Sequence, residues 1–530
     1  MKRLGLALLV AVLYAGTLAS RELIRDDRPL IVENALLRSW RSLPRLLTTG
    51  YWDQAQGPGA RVQEYRPALS LLNFAVFQAA GEAPWTHHLV NLLLHAAVCL
   101  LLFELLSRSA GEKAAFCAAA LFACLPIHCE AVGYVSGRSE PLCALFMLAA
   151  WLCADSGKSP WALVLYALAM LSKEQGILFP LLVIGWDRVQ GRRRLPLYIG
   201  LGLCSIAYLL LRSTVLEHSW RVGVPYFGQA TFPVRLLTMA RFTVERYLIP
   251  LATGLNMGFN FERPFIPDSG LGDVRAWLCL AALLAAALGS LRRPWVLAAF
   301  LWWLPVSNLI VPLDELGAPR FMYFPAAALC AATAPALARV PPAAFAALLL
   351  WYGGWTVHTN RLWRDSCTYN AEVRARNPHA HVLPALAVCR LRQGDAAGAE
   401  ALLREAIAQD PSDVVAHYDL GRLLFEKGDL RQAEASFLRA SPNDADVRVF
   451  RSLIAEREGR PAQAQKHLEA ALSTRPWDCR ARFNHGRLLW GSGRREAAER
   501  DFREFLRLCP SDEDSGAVRE LLRNGSRTRS

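Results

Sequence analysis

Charged residues that border membrane-length apolar runs are the first candidates for chemistry in this chain, because a charge is costly to hold out of water. Asp26-Asp27 follows the first apolar run, within Arg25-Asp26-Asp27-Arg28-Pro29. Glu64-Tyr65-Arg66-Pro67 opens a later apolar stretch. The fork of an arginine such as Arg66 suits paired donation to phosphate oxygens, although a guanidinium snorkelling to the interface reads the same way. His88, Asn91 and His95 recur at i, i+3 and i+7 and share one helix face, either as a polar site or as contacts to neighbouring helices. The densest group runs from Pro126 to Glu140 and holds His128, Glu130, Arg138 and Glu140. Ser172-Lys173-Glu174-Gln175-Gly176 follows, then Asp314-Glu315 and Arg320. No HExxH and no pair of acids at ligand spacing accompanies the histidines, so no metal is expected. Two solvated loop carboxylates would account for Asp26-Asp27 alone. The repeated gathering of charge at one membrane face points instead to a shared pocket.

Two kinds of chain must position these groups. Of the 530 residues, 53% are apolar, a high share for a wholly soluble protein. The apolar content is concentrated before about residue 357, and from about residue 377 the chain is charged and lacks a membrane-length run. Eleven spans are expected, at 4–20, 85–106, 113–130, 132–153, 160–178, 177–190, 195–213, 274–291, 295–313, 321–338 and 341–358. Residues 67–81 and 236–252 read as helices embedded from one side. With that assignment Lys2-Arg3, Arg108, Lys113, Lys158, Arg188, Arg192 to Arg194, Arg292-Arg293 and Arg339 all fall on the cytoplasmic side. The first run then reads as an uncleaved span, not a signal peptide. The acidic loop and the C-terminal region share the outer face. The net charge of +13 reports this topology and not nucleic acid, since no basic stripe or nucleic-acid motif goes with it. Thirteen cysteines without a CxxC pair do not identify the compartment.

The C-terminal region repeats. Gly394, Gly428, Gly459 and Gly493 are spaced 34, 31 and 34 residues apart. Each is followed at a fixed offset by alanine (Ala399, Ala433, Ala464, Ala498) and then by Leu403, Phe437, Leu468 and Phe502. Prolines at 411, 442, 476 and 510 close the units. This is a tetratricopeptide pattern of paired helices, which stacks into a surface that holds peptides or proteins. The expected organisation is a membrane domain over 1–365, a linker at 366–377, four repeats with a capping helix over 378–523, and a disordered tail at 524–530.

Taken in order, these residues resemble the transmembrane and tetratricopeptide-repeat O-mannosyltransferases of the C-type glycosyltransferase superfamily. The likeness is carried by Asp26-Asp27, Tyr65-Arg66-Pro67, His88-x-x-Asn91-x-x-x-His95, Pro126-x-His128-x-Glu130 through Gly137-Arg138-x-Glu140, Ser172-Lys173-Glu174-x-Gly176 and Ser307-Asn308-Leu309. It departs at Ala318-Pro319-Arg320, where the family tends to read Ala-Glu-Arg, and in its short array of four repeats. The resemblance implies an all-α fold, a polytopic C-type membrane domain followed by a tetratricopeptide solenoid. It also implies an inverting enzyme that moves a sugar, mannose, from a polyprenyl or dolichyl phosphate to Ser/Thr hydroxyls of secreted or membrane proteins recruited by the repeats. Neither a cofactor nor a metal is implied. Asp26 or Asp27 would be the general base, and Arg66, Arg138 and Lys173 would support the departing phosphate. Glu64, His88, Asn91, His95, His128, Glu130, Glu140, Glu174 and Arg320 would orient the sugar or acceptor or hold the basic groups. The setting would be a bacterial inner membrane with periplasmic repeats, or an endoplasmic reticulum membrane with lumenal ones. Two other classes stay open: a C-type transferase acting on a lipid or glycan, and a non-enzymatic membrane-anchored repeat scaffold.

Overall fold

The computed structural model describes residues 1–56, 64–216, 226–228, 230–255, 268–290, 293–377, 381–510 and 512–527. Every regular element among them is helical, as the resemblance implied. The chain divides into two compact units, Met1–Arg28 with Arg61–His379, and Pro29–Ala60 with Ala380–Ser530.

Among the described residues of the first unit three helices are long and apolar enough to cross a membrane alone: Lys2–Ala19, Pro84–Ala110 and Leu195–Val215. A fourth span is possible if Glu112–Cys124 and Pro126–Gly133 are counted together across a 54° bend. Helices of that length do not reproduce the count of eleven. The reason is that polar turns cut the apolar runs. The expected spans 113–130 and 132–153 become Glu112–Cys124 and Ser139–Asp155, with short turns and the helix Cys129–Gly133 between them. Likewise 160–178 and 177–190 become Ser159–Ser172 and Phe179–Val189, joined by a 3-10 turn at Glu174–Leu178. The half-embedded stretch 236–252 is a run from Phe232–Phe242 through a π turn at Thr243–Leu248 into Ile249–Thr253. Proline opens many of these helices, at Pro67, Pro84, Pro196, Pro294 and Pro342, where its missing N–H would have had no helical partner anyway. Ala115, Ala118, Ala119, Ala120 and Ala123 are wholly buried on one short helix, letting neighbouring backbones approach closely.

The second unit holds four helix pairs: Leu383–Arg392 with Ala396–Gln409, Val414–Glu426 with Leu430–Ala440, Ala445–Arg457 with Pro461–Thr474, and Cys479–Gly491 with Arg495–Leu508. The three residues missing from the second repeat come out of its second helix, which has 11 residues against 14 in the others. All four turn glycines have positive φ, between 72° and 84°, which explains their regular spacing. Asp395, Asp413, Asp429, Asp444 and Asp478 cap helix N-termini by accepting from backbone N–H groups. A final helix, Ser515–Arg527, extends beyond the expected cap into the stretch read as disordered, and residues 528–530 lie outside the described residues. The stretch expected as a linker is itself a helix, Ser366–Arg376.

The sequence carried no sign of where the first loop belongs. Its residues from Pro29 onward are part of the second unit. There Leu36, Leu37 and Leu46 are buried, and the Arg45 guanidinium lies 4.7 Å from the centre of the Trp477 ring.

Candidate active site

The loop after the first helix is pinned before it reaches the two aspartates. Ser20 Oγ donates to the Arg364 carbonyl at 2.9 Å, and Glu22 accepts from the Ser366 N–H at 2.7 Å. Arg25 then takes a left-handed conformation, φ 52°, rare for a residue with a Cβ. It is held there by a 2.6 Å bond from Nη1 to the Tyr369 hydroxyl and by packing over that ring. Local strain of this kind persists only where the surroundings enforce it.

The turn separates Asp26 from Asp27. Asp27 is buried, and its carboxylate accepts from the Ser136 N–H (2.7 Å), the Ser136 hydroxyl (2.6 Å) and the Ile24 N–H (3.3 Å). Burial pushes its pKa up to about 7, against the opposing effect of the two Ser136 bonds and of Arg138. Asp26 is only half-buried. The buried Tyr134 hydroxyl accepts from the Asp26 backbone N–H at 3.0 Å and engages its carboxylate, which has no other side-chain partner among the described residues. Of the pair, Asp27 ties two loops together and Asp26 presents an available carboxylate.

The first unit also holds three ionic groups built from the expected residues. Arg66 pairs with Glu64 at 2.7 Å and with Glu174 at 2.9 Å, and Arg212 reaches Glu174 at 3.3 Å. Lys173 is ion-paired with the fully buried Glu140 and lies 5.6 Å from the Phe321 ring centre. Arg320 spans Glu130, at 2.7 Å, and both oxygens of Glu315, at 2.9 and 2.7 Å. Its guanidinium is 5.2 Å from the same Phe321 ring, so one aromatic face separates two cations. Electrostatic coupling links the groups: Asp314 feels Asp26, Glu64 feels Lys173 and Asp314, and Glu130 feels Arg25. Burial pushes Glu64 up to about 7 although Arg66 opposes it.

Other expected residues have different surroundings. Arg138 is wholly buried and donates to Asn91 Oδ1 (2.9 Å), Asn73 Oδ1 (3.0 Å) and the His87 carbonyl (3.0 Å). Asn91 in turn donates to the carbonyls of Val132 and Tyr134. Both side chains therefore brace the 132–138 turn from inside. His95 bonds the Tyr323 hydroxyl at 2.7 Å, and with Tyr14, Phe122, His128 and Tyr323 it builds a buried aromatic cluster. His88 is also buried, and neither of its ring nitrogens has a partner among the described residues. Sequence reasoning missed Tyr134, Ser136 and Arg212. Arg212 had a signal, a charge in the last turn of an apolar helix. Ser136 and Tyr134 had none beyond lying inside the dense motif. Gly137 there is forced, because an added Cβ would collide with the Glu130 carbonyl. No group of three or more metal-binding side chains occurs among the described residues.

Comparison with known proteins finds relatives for both the apolar part of the chain and the repeats. Tetratricopeptide-repeat family models match residues 390–457 and 451–513. Protein O-mannosyl-transferase TMTC3 of Mus musculus is 26% identical over 92% of this chain and 62% of its own length. Protein O-mannosyl-transferase TMTC4 of Homo sapiens is 28% identical over 79% of this chain and 63% of its own. The chain thus spans a little over three-fifths of the length of these relatives. Among solved structures, a thermophilic TPR protein of Thermus thermophilus is 22% identical over 32% of this chain and 91% of its own, with a TM-score of 0.26, too low to carry an argument. From the membrane helices through the repeats, the chain is similar to the transmembrane and tetratricopeptide-repeat O-mannosyltransferase family.

Proposed function

We propose that this protein transfers mannose from a polyprenyl or dolichyl phosphate carrier to Ser/Thr hydroxyls of proteins on the outer face of its membrane. The observation that carries the reading is the division of labour in the acidic pair, a half-exposed Asp26 with an available carboxylate and a buried Asp27 that holds the loop. Asp26 takes the proton of the acceptor hydroxyl as its oxygen attacks the anomeric carbon. The anomeric C–O bond to phosphate breaks, and its electron pair leaves with the phosphate. Attack opposite the leaving group inverts the anomeric centre. Arg66, Lys173 and Arg320 sit in the same electrostatic cluster and would offset the charge that develops on the phosphate. Each already contacts carboxylates, which fix its position before substrate arrives. No cofactor or metal takes part in this scheme.

The outer face is favoured by a feature of the repeats. Cys479 and Cys509 are joined in a disulfide, with Cα atoms 6.3 Å apart. Disulfides persist in the periplasm and in the lumen of the endoplasmic reticulum but are rare in the cytosol. The repeats would present the acceptor polypeptide there.

The test is transfer of labelled mannose from polyprenyl phosphate mannose to secreted proteins of the native source by the full chain in lipid. Asp26→Asn is expected to lower turnover by about 10²–10⁴-fold, and Asp27→Asn to act through folding of the loop. Equal turnover in wild type and Asp26→Asn would remove Asp26 as base. Label appearing in lipid or glycan, with protein unlabelled, would replace the protein acceptor.

A further inference from the structure

The helix Ser139–Asp155 carries Glu140 in its first turn, so its last turn lies about 25 Å from the charged site at 1.5 Å per residue. The helix Phe179–Val189 runs the same way, leaving Lys173 and Glu174 behind and ending at Arg188 and Val189. At these far ends Trp151, Trp186 and Trp295 pack together, with ring centres 5.2 to 6.0 Å apart and Trp151 stacked on Trp295. With Leu181, Val189 and Leu297 they line an apolar groove of about 180 Å³. Those three aliphatic side chains are about half exposed, so the groove opens sideways, toward the surroundings of the helices. It is smaller than the ~300–1,000 Å³ of sites that enclose a whole small molecule. It suits one stretch of hydrocarbon chain.

A charged layer borders the groove. Trp186 precedes Asp187, Trp151 lies one turn before Asp155, and Trp295 follows Arg293 by two residues. The two acids are already paired, Asp187 with Arg194 at 2.7 Å and Asp155 with Arg192 at 3.5 Å. Arg188, Arg193 and Arg293 are exposed, and none has a side-chain partner among the described residues. Three uncompensated guanidiniums beside an open tryptophan-lined groove match a lipid whose head is anionic and whose tail is not.

We infer that this end of the first unit binds one anionic glycerophospholipid, its phosphate on Arg188, Arg193 and Arg293 and part of an acyl chain in the Trp151–Trp186–Trp295 groove. A zwitterionic lipid would fill the groove and gain little from the arginines. The isoprenoid tail of a sugar donor is the rival occupant. It is disfavoured because its phosphate is needed at the other end of these helices, while the arginines here call for a phosphate of their own. The inference rests on the membrane reading of the first unit, and the exclusion of the donor tail rests on the proposed transfer reaction.

The experiment uses the full chain in phosphatidylcholine nanodiscs containing phosphatidylglycerol as the minor component, with bound lipid identified by native mass spectrometry after release into mild detergent. Wild type should retain one phosphatidylglycerol in preference to phosphatidylcholine. Arg188→Gln, Arg193→Gln and Arg293→Gln should each lower that retention about fivefold. Gly185→Leu should abolish retention without touching the charges, because Gly185 lines the groove and an added Cβ there meets nothing within 4 Å. Equal retention of the two lipids, or unchanged retention in the arginine variants and in Gly185→Leu, would overturn the site. Displacement of phosphatidylglycerol by added polyprenyl phosphate in those same discs would overturn it too and give the groove to the donor tail. Nanodiscs present both leaflets alike, so a wrong orientation of the chain does not affect the result. A chain that fails to enter nanodiscs would overturn the membrane reading and the site with it.

Discussion

Lys173–Glu140 in the first unit and Arg487–Glu456 in the second are ion pairs of the same kind in opposite surroundings. The side chains of the first pair are 7% and 0% exposed, those of the second 44% and 33%. At Arg487–Glu456 water solvates each partner when the other is removed, so the pair adds little to stability. At Lys173–Glu140 in the first unit no such fallback exists. A buried cation there is specified by its acid, and a sequence change at either one leaves a charge without compensation. The same contrast governs helix starts, which are capped by aspartates in the repeats and often opened by prolines among the apolar helices.

The sharpest way to break this comparison is to remove one partner of the buried pair. Lys173→Met should cost about 3–5 kcal/mol by stranding Glu140, and Lys173→Met with Glu140→Leu should recover most of it. Thermal unfolding in detergent would measure both, and a double variant no better than the single would show that the pair is not the unit of stability. The next effect is a pH dependence at Asp27. Its folded pKa, about 7, lies above the ordinary carboxylate value near 4. The stability it contributes is therefore fully present below about pH 4 and is lost as pH rises through about 7. Asp27→Asn should flatten that slope in melting temperatures taken from pH 4 to 8, and an unchanged slope would assign it to other groups. In the repeats the backbone should matter more than charge. Gly428→Ala, at φ 84°, is expected to cost about 1–2 kcal/mol, read by chemical denaturation. Smallest of all, Arg487→Ala should cost about 0.2–1 kcal/mol, with the difference shrinking as salt is added. A larger or salt-independent loss at Arg487 would mean that the two units do not differ in the way described.

The repeats were legible because each of their determinants is local. A glycine forced to positive φ, a small residue at the helix crossing and a large one behind it recur at fixed offsets, and the structure returns four helix pairs at those places. The membrane helices were legible as apolar composition and not as lengths, because composition does not register where a polar turn cuts a run. The charged residues of the site were named from their types, but their individual roles were not. Which aspartate is available depends on Ser136, 109 residues from Asp27 in the chain. Arg138 looked like a phosphate ligand, and its acceptors on Asn73 and Asn91 come from two other helices. His128 shares a motif with the acids, and His95 a helix face with Asn91, yet both lie among aromatic rings. Spacing along one helix selects a face; what that face meets is decided by elements far away in sequence.

The second unit is assembled from two pieces of chain made far apart in synthesis. The segment Pro29–Ala60 leaves the ribosome before residues 61–379, and the repeats that complete its unit come after them. While those intervening residues are made, Leu36, Leu37 and Leu46 wait without the partners that bury them in the folded unit. Unfinished apolar surface of this kind is what chaperones engage and what drives misassembly. The stretch that follows Asp26 and Asp27 in sequence therefore reports completion of the repeats: a polypeptide cut short before them carries an unburied loop directly after its candidate base.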